Sequence, residues 1–199
     1  MRMPPLETPR LIIRPLILDD LDAVHRILDV ELRDADFGNE AAKSLDERRQ
    51  WLQWTVMGYE QLAKLHQPPY GERAIVLRQS NRVIGACGFV PCLNPFEQLP
   101  SLSRGGPIGP SGRTSTEFGL FYAVAPAHQR RGVAAEAAKA MVDYAFRTLH
   151  LGRVIATTTR DNVASMGVMR HLGMRIEENP YPDPPWLQVV GIIDNKALL

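Results

Sequence analysis

The sequence predicts an α/β (α+β) protein with its elements in the order βααβββαβαββ. Three observations predict it. Short runs rich in β-branched and aromatic residues alternate with longer segments whose apolar residues recur at spacings of three and four. Glycine, proline and asparagine stand between those segments. A strand from Glu117 to Val124 also runs through a turn with one glycine, Gly132, into a helical pattern that begins at Val133. At 199 residues, 45% hydrophobic and 23% charged, the chain is expected to form one domain over 1–199 with a sizeable core.

The first strand is Arg10 to Leu16, with Leu11, Ile12 and Ile13 apolar and Pro15 closing it. Asp19 and Asp20 supply an N-cap and first-turn acid, and Leu21, Val24, Ile27 and Leu28 make the stripe of the first helix. Glu31 to Asn39 is polar and reads as a loop. Ser44, with Glu47 three residues later, is a capping box for a helix that reaches about Leu65. Its apolar face holds Leu45, Trp51, Leu52, Val56, Tyr59, Leu62 and Ala63, and Gly58 is a weak point. Trp51 reads as core; Trp54 is left open as a pocket residue, and His66 reads as a cap or surface residue.

Arg73–Arg78 and Val83–Val90 form two strands around a Ser80–Asn81 turn, with Gly85 and Gly88 marking a bulge or close backbone packing. Residues 91–115 form a long proline- and glycine-rich loop with few apolar residues, expected to supply no core face. After Glu117–Val124 and the helix from Val133, Gly152 is expected to cap that helix. Arg153–Thr159 is the fifth strand, and Asn162 starts a helix ending near Leu172 with Gly173 after it. Met174–Glu178 and Trp186–Ile193 are the last two strands.

The strand–turn–helix from Glu117 onward has a chemical use. A helix start leaves backbone N–H groups unpaired at the positive end of the macrodipole, where phosphate oxygens bind. Gly132 admits a close backbone approach, Ala134 and Ala135 are short, and Arg130 and Arg131 add charge. Neither nucleotide loop is present: no Lys-Ser/Thr pair follows the glycine, and two glycines of G-x-G-x-x-G are missing.

What stands there is Gln129-x-x-Gly132-x-Ala134, which resembles the Q/R-x-x-G-x-G/A acetyl-CoA motif of the GNAT superfamily of N-acyltransferases. Ala135, Glu136 and Ala137 are similar to the A-x-E-A run of its Rim-type branch, the ribosomal-protein acetyltransferases and their relatives. Asp161–Met174 resembles the family's N-x-x-S-x-x-x-x-x-x-L-G-F element, through Asn162, Ser165, Leu172 and Gly173. Thr8, Arg10, Leu11 and Arg14 match that branch's T-x-R-L-x-L-R opening.

The resemblance implies a mixed, mostly antiparallel seven-stranded sheet with helices on both faces, splayed between the fourth and fifth strands where a pantetheine arm lies. It implies acetyl transfer from acetyl-CoA, as co-substrate, to a primary amine of a protein N-terminus or small molecule, by direct attack in a ternary complex. Tyr122, Ala123, Val124, Gln129, Arg130, Arg131, Gly132, Val133, Ala134, Ala135, Asn162 and Ser165 would bind the cofactor. Glu117 would take the amine proton, and a backbone N–H at Val124 would polarise the thioester carbonyl. Many members carry a Tyr seven residues after the motif asparagine; here that position is Met169, so Ser165, Tyr122 or a water would assist the thiolate. That departure leaves open a non-catalytic acyl-CoA-binding sensor or interaction module.

Other partners are limited by composition. A net charge of +1 gives no general nucleic-acid footprint. No apolar run approaches the roughly 20 residues of a membrane span. Cys87 and Cys92 form no metal or disulfide pattern, and a cytoplasmic protein, with a homodimer left open, is the expectation.

Overall fold

The computed structural model describes residues 2–34, 41–103, 109 and 113–198. The chain divides into two compact units, residues 1–90 with 120–143 and residues 91–119 with 144–199. Part of the expected loop at 31–39, and most of the glycines and prolines between 104 and 112, lie outside the described residues.

The first unit begins with β1 (Leu6–Glu7) and β2 (Leu11–Pro15). β3 (Gly71–Leu77) and β4 (Arg82–Asn94) follow, and β5 (Ser115–Val124) enters the unit with its second half. Their order is β1-β2-β3-β4-β5, with antiparallel registers such as Ile13↔Ile75 and Ala74↔Ala86. The two-residue β1 makes eight strands among the described residues where seven were expected; it was too short for any period to reveal.

Gly85 and Gly88 meet both expectations. The β3–β4 register skips between Ile75 and Val76, a bulge. A Cβ on Gly85 would lie 2.3 Å from the Ala123 carbonyl oxygen, and one on Gly88 2.3 Å from that of Gly71.

α1 (Leu21–His25) grows from a 3-10 turn over Leu18–Asp20 and runs on into a π-helical stretch, Arg26–Glu31. α2 (Leu45–Lys64) starts at Ser44 with the capping box in place and passes Gly58 unbroken. The core between these helices and the strands contains Leu16, Val24, Ile27, Leu28, Leu52, Ala74 and Val76, with Trp51 and Tyr59 packed against it. Leu45 does not join its face but is exposed at the first turn; Trp54, midway along the helix, and His66, beyond its end, are exposed too. The Asp29 and Arg48 side chains, 1% and 5% exposed, pair at 2.7 Å and tie the end of the first helical segment to α2.

The second unit has the strand order β5-β6-β8-β7, with β6 (Arg153–Thr158), β7 (Arg175–Glu178) and β8 (Val189–Asp194). β6 and β7 each run antiparallel to β8. β5 and β6 are parallel and share a single register pair, Gly119↔Ile155, against six between β6 and β8. α3 (Val133–Arg147) leads to this unit and α4 (Val163–His171) lies within it.

Two expectations are corrected here. α3 ends at Arg147, and His150, not Gly152, takes the left-handed conformation after it, with φ 53°. The loop at 91–115 does supply a core face. β4 runs on to Asn94, a 3-10 turn spans Phe96–Gln98, and Phe96, Leu99 and Leu102 pack with Ile155, Leu187, Val190 and Ile192. Phe96, Leu99 and Leu102 recur at a spacing of three, but the prolines and glycines around them mask so short a run, so their burial was invisible in composition.

Candidate active site

In the first unit β5 ends at Val124, a 3-10 turn covers Pro126–His128, and Gln129 to Gly132 lead into α3 at Val133. Arg130 and Gly132 adopt left-handed φ angles of 58° and 74°. That conformation is ordinary for glycine and costs an arginine strain. The Gln129 side-chain amide donates to the Val124 carbonyl at 2.8 Å, stitching the strand end to the turn. Gln129, Arg130, Arg131 and Gly132 are exposed, while Val133 and Ala135 are buried under the first turn of α3. The residues fit a pyrophosphate: an exposed, cationic, left-handed turn feeds a helix start with unpaired amides.

A Cβ on Gly132 would point at the Arg10 side chain, 3.5 Å from Nη2. A substitution there is opposed by the 74° φ angle, the Arg10 contact being of ordinary van der Waals length. Arg10 was not singled out as a site residue in the sequence. Its Nη1 donates to the Arg131 carbonyl at 2.8 Å and its Nε to Glu136 at 2.6 Å. Thr8 Oγ1 donates to the same carboxylate, also at 2.6 Å. Burial works to raise the Glu136 carboxyl, but the bonds from Thr8 and Arg10 outweigh it and hold the group below its usual range. The signal was there, since Thr8, Arg10 and Glu136 all sit in quoted motifs; their meeting was not.

Tyr122, Ala123 and Val124 complete this half of the predicted set on β5, with Tyr122 half-buried and the other two buried.

Glu117, Asn162 and Ser165 belong to the second unit. Glu117 is 17% exposed and accepts from Arg153 Nη1 at 3.3 Å; Arg153 Nε also donates to Asp194 at 2.8 Å. Burial works to lower the Arg153 pKa, but the Asp194 hydrogen bond and the Glu117 charge raise it above its ordinary value. Glu117 thus stands in an ion-paired triad that spacing did not reveal, because Arg153 and Asp194 come from β6 and β8. Cys92 lies close enough for the Glu117 charge to add to the effect of burial, which together push its thiol up to about 11. Asn162 caps α4, its Oδ1 accepting from the Ser165 N–H at 3.0 Å.

Met169 is fully buried, and a Cβ on Gly191 of β8 would come within 2.8 Å of its Sδ. The side chain packs against β8.

Residues 10–175 match the family described as Acetyltransferase (GNAT) domain. The chain belongs to the GNAT acetyltransferase family. It is 28% identical over 175 residues to the uncharacterized N-acetyltransferase YoaA of Bacillus subtilis (strain 168), covering 87% of this chain and 84% of that one. A second relative from the same organism, the uncharacterized N-acetyltransferase YnaD, is 44% identical over 52 residues. That match spans 26% of this chain and 31% of YnaD. Among solved structures, a GNAT-family acetyltransferase from Bacillus anthracis superposes with a TM-score of 0.69 at 20% identity, over 96% of this chain and 99% of that one. The mixed, mostly antiparallel fold expected from the sequence is therefore the fold observed.

Proposed function

We propose that this acetyltransferase moves an acetyl group from acetyl-CoA to a primary amine by direct attack in a ternary complex. The observation that carries the reading is the turn from Gln129 to Ala135, with its left-handed Arg130 and Gly132 at the start of α3. Acetyl-CoA would supply the activated acetyl group and present its pyrophosphate to that turn. The family match runs through residues of both units, and we read 1–199 as one acetyltransferase domain.

On this reading the amine is its own nucleophile. Glu117 receives its proton, directly or through water, and Arg153 with Asp194 holds the carboxylate in one orientation. A backbone N–H at Val124 polarises the carbonyl. Ser165, Tyr122 or water assists the departing thiolate, and Asn162 orients the Ser165 turn. The placement in the Rim-type branch is supported by the bonds that join the opening residues Thr8 and Arg10 to Glu136 of the A-x-E-A run. The segment 91–115 would govern the acceptor, since β5 begins two residues before Glu117 and Cys92 feels the Glu117 charge.

Purified protein, acetyl-CoA and a panel of polyamines, amino acids, aminoglycosides and N-terminal peptides test this by release of free CoA thiol. Amine-dependent release is expected. CoA binding with no release for any amine would favour a second reading, a non-catalytic acyl-CoA-binding module, for which the buried Met169 is the supporting observation.

A further inference from the structure

We propose that Arg10 is a positioning residue for the phosphate turn: it holds the Arg131 carbonyl aside and thereby aims the Gly132 N–H at the bound anion. The inference rests on reading Gln129–Ala135 as the cofactor turn.

The peptide unit between Arg131 and Gly132 sets the direction of the turn's N–H group. It is planar and trans, so its carbonyl and its N–H point in opposite directions. Arg10 Nη1 captures that carbonyl at 2.8 Å. An oxygen turned toward a phosphate would repel it; an oxygen turned onto Arg10 sends the Gly132 N–H the other way. The guanidinium is itself over-determined. Its Nε bonds Glu136 Oε2 at 2.6 Å, the Arg10 backbone N–H bonds Glu136 Oε1 at 3.0 Å, and the Arg10 carbonyl accepts from the Arg78 N–H at 3.0 Å.

Charge adds a second reason. Glu136 lies in the first turn of α3 and is 17% exposed. A carboxylate there competes with a phosphate for the positive helix end. Arg10 neutralises it, so the helix start keeps its attraction for an outside anion. Thr8 adds a neutral bond to the same carboxylate.

The test uses Arg10→Ala and Arg10→Lys in the full chain. Lysine keeps a charge beside Glu136 but lacks the planar fork that serves Glu136 and Arg131 together. CoA affinity is read by calorimetry, and KM for acetyl-CoA separately from kcat. Both variants are expected to weaken CoA binding roughly ten- to hundredfold, the range of one charge-assisted hydrogen bond. KM should rise in step, with kcat at saturating acetyl-CoA within about threefold, as for an interaction made before and during the transition state. Should Arg10→Ala fail to fold, Arg10→Lys alone decides. A lysine variant that binds CoA within about twofold of the unaltered protein, or that loses only kcat, overturns the proposal. Failure of the unaltered protein to bind CoA overturns the turn reading itself, and is seen before any substitution is made.

Discussion

Arg10 and Glu136 stand 126 residues apart in the chain and meet through two hydrogen bonds, one from the guanidinium and one from the Arg10 backbone. The contact joins the residue that precedes β2 to the first turn of α3. It also makes part of the fold's stability depend on an ionised carboxylate.

That dependence has a sign. Burial alone would raise the Glu136 and Asp29 carboxyls. Hydrogen bonds from Thr8 and Arg10 to one, and from Arg48 and the Lys43 N–H to the other, hold both below their usual range. An unfolded carboxyl takes its proton near about 4. The stabilisation is complete above that pH and drains away as pH falls through the lower folded values. Thermal midpoints measured from pH 7 to pH 3 should fall below about pH 4.5. Glu136→Gln should lower the midpoint at neutral pH and flatten the acid slope; an unchanged slope would remove Glu136 from the account.

Asp29 and Arg48 are buried as a pair, so removing one leaves an uncompensated charge. Asp29→Ala should cost about 3–5 kcal/mol by denaturant unfolding. A cost below about 1 kcal/mol, the scale of an exposed pair, would mean that water reaches this contact.

Phe96 tests the corrected view of the segment at 91–115. Phe96→Ala should destabilise the protein by about 3–5 kcal/mol, because the ring is fully buried among Leu187, Val190 and Ile192. Replacing Leu93 to Thr114 with a flexible linker would likewise remove Leu99 and Leu102 from that core. If Phe96→Ala unfolds like the unaltered protein, the segment contributes no core.

Glu117→Gln should leave CoA affinity unchanged and lower kcat by about 10²–10⁴-fold if Glu117 takes the amine proton. Wild-type turnover across the pH profile would leave it a structural role, of which its ion pair with Arg153 is a part.

Met169→Tyr separates packing from chemistry. A family-like tyrosine placed under Gly191 should overfill the site and cost about 1–3 kcal/mol, with no gain in turnover. A faster, equally stable variant would show that this position faces the reacting groups.

Ser44 with Glu47, the stripe Val24–Ile27–Leu28, the start of α3 at Val133 and the Asn162 cap were all legible in the sequence. Each is set by neighbours within about one helical turn, where backbone geometry alone decides what can meet. The strand–turn–helix at Gln129–Val133 was legible for the same reason. The two-residue β1, the buried Phe96 and the Arg153 triad were not, because strands and loops distant in sequence bring those groups together. Glu117 shows the division within one residue. Local order put a carboxylate near the start of β5, and only the pairing of β5 with β6, and of β6 with β8, decided that Arg153 and Asp194 would stand beside it. Spacing along a chain determines contacts made along one element; contacts between elements depend on register, which only strand pairing in the tertiary structure selects.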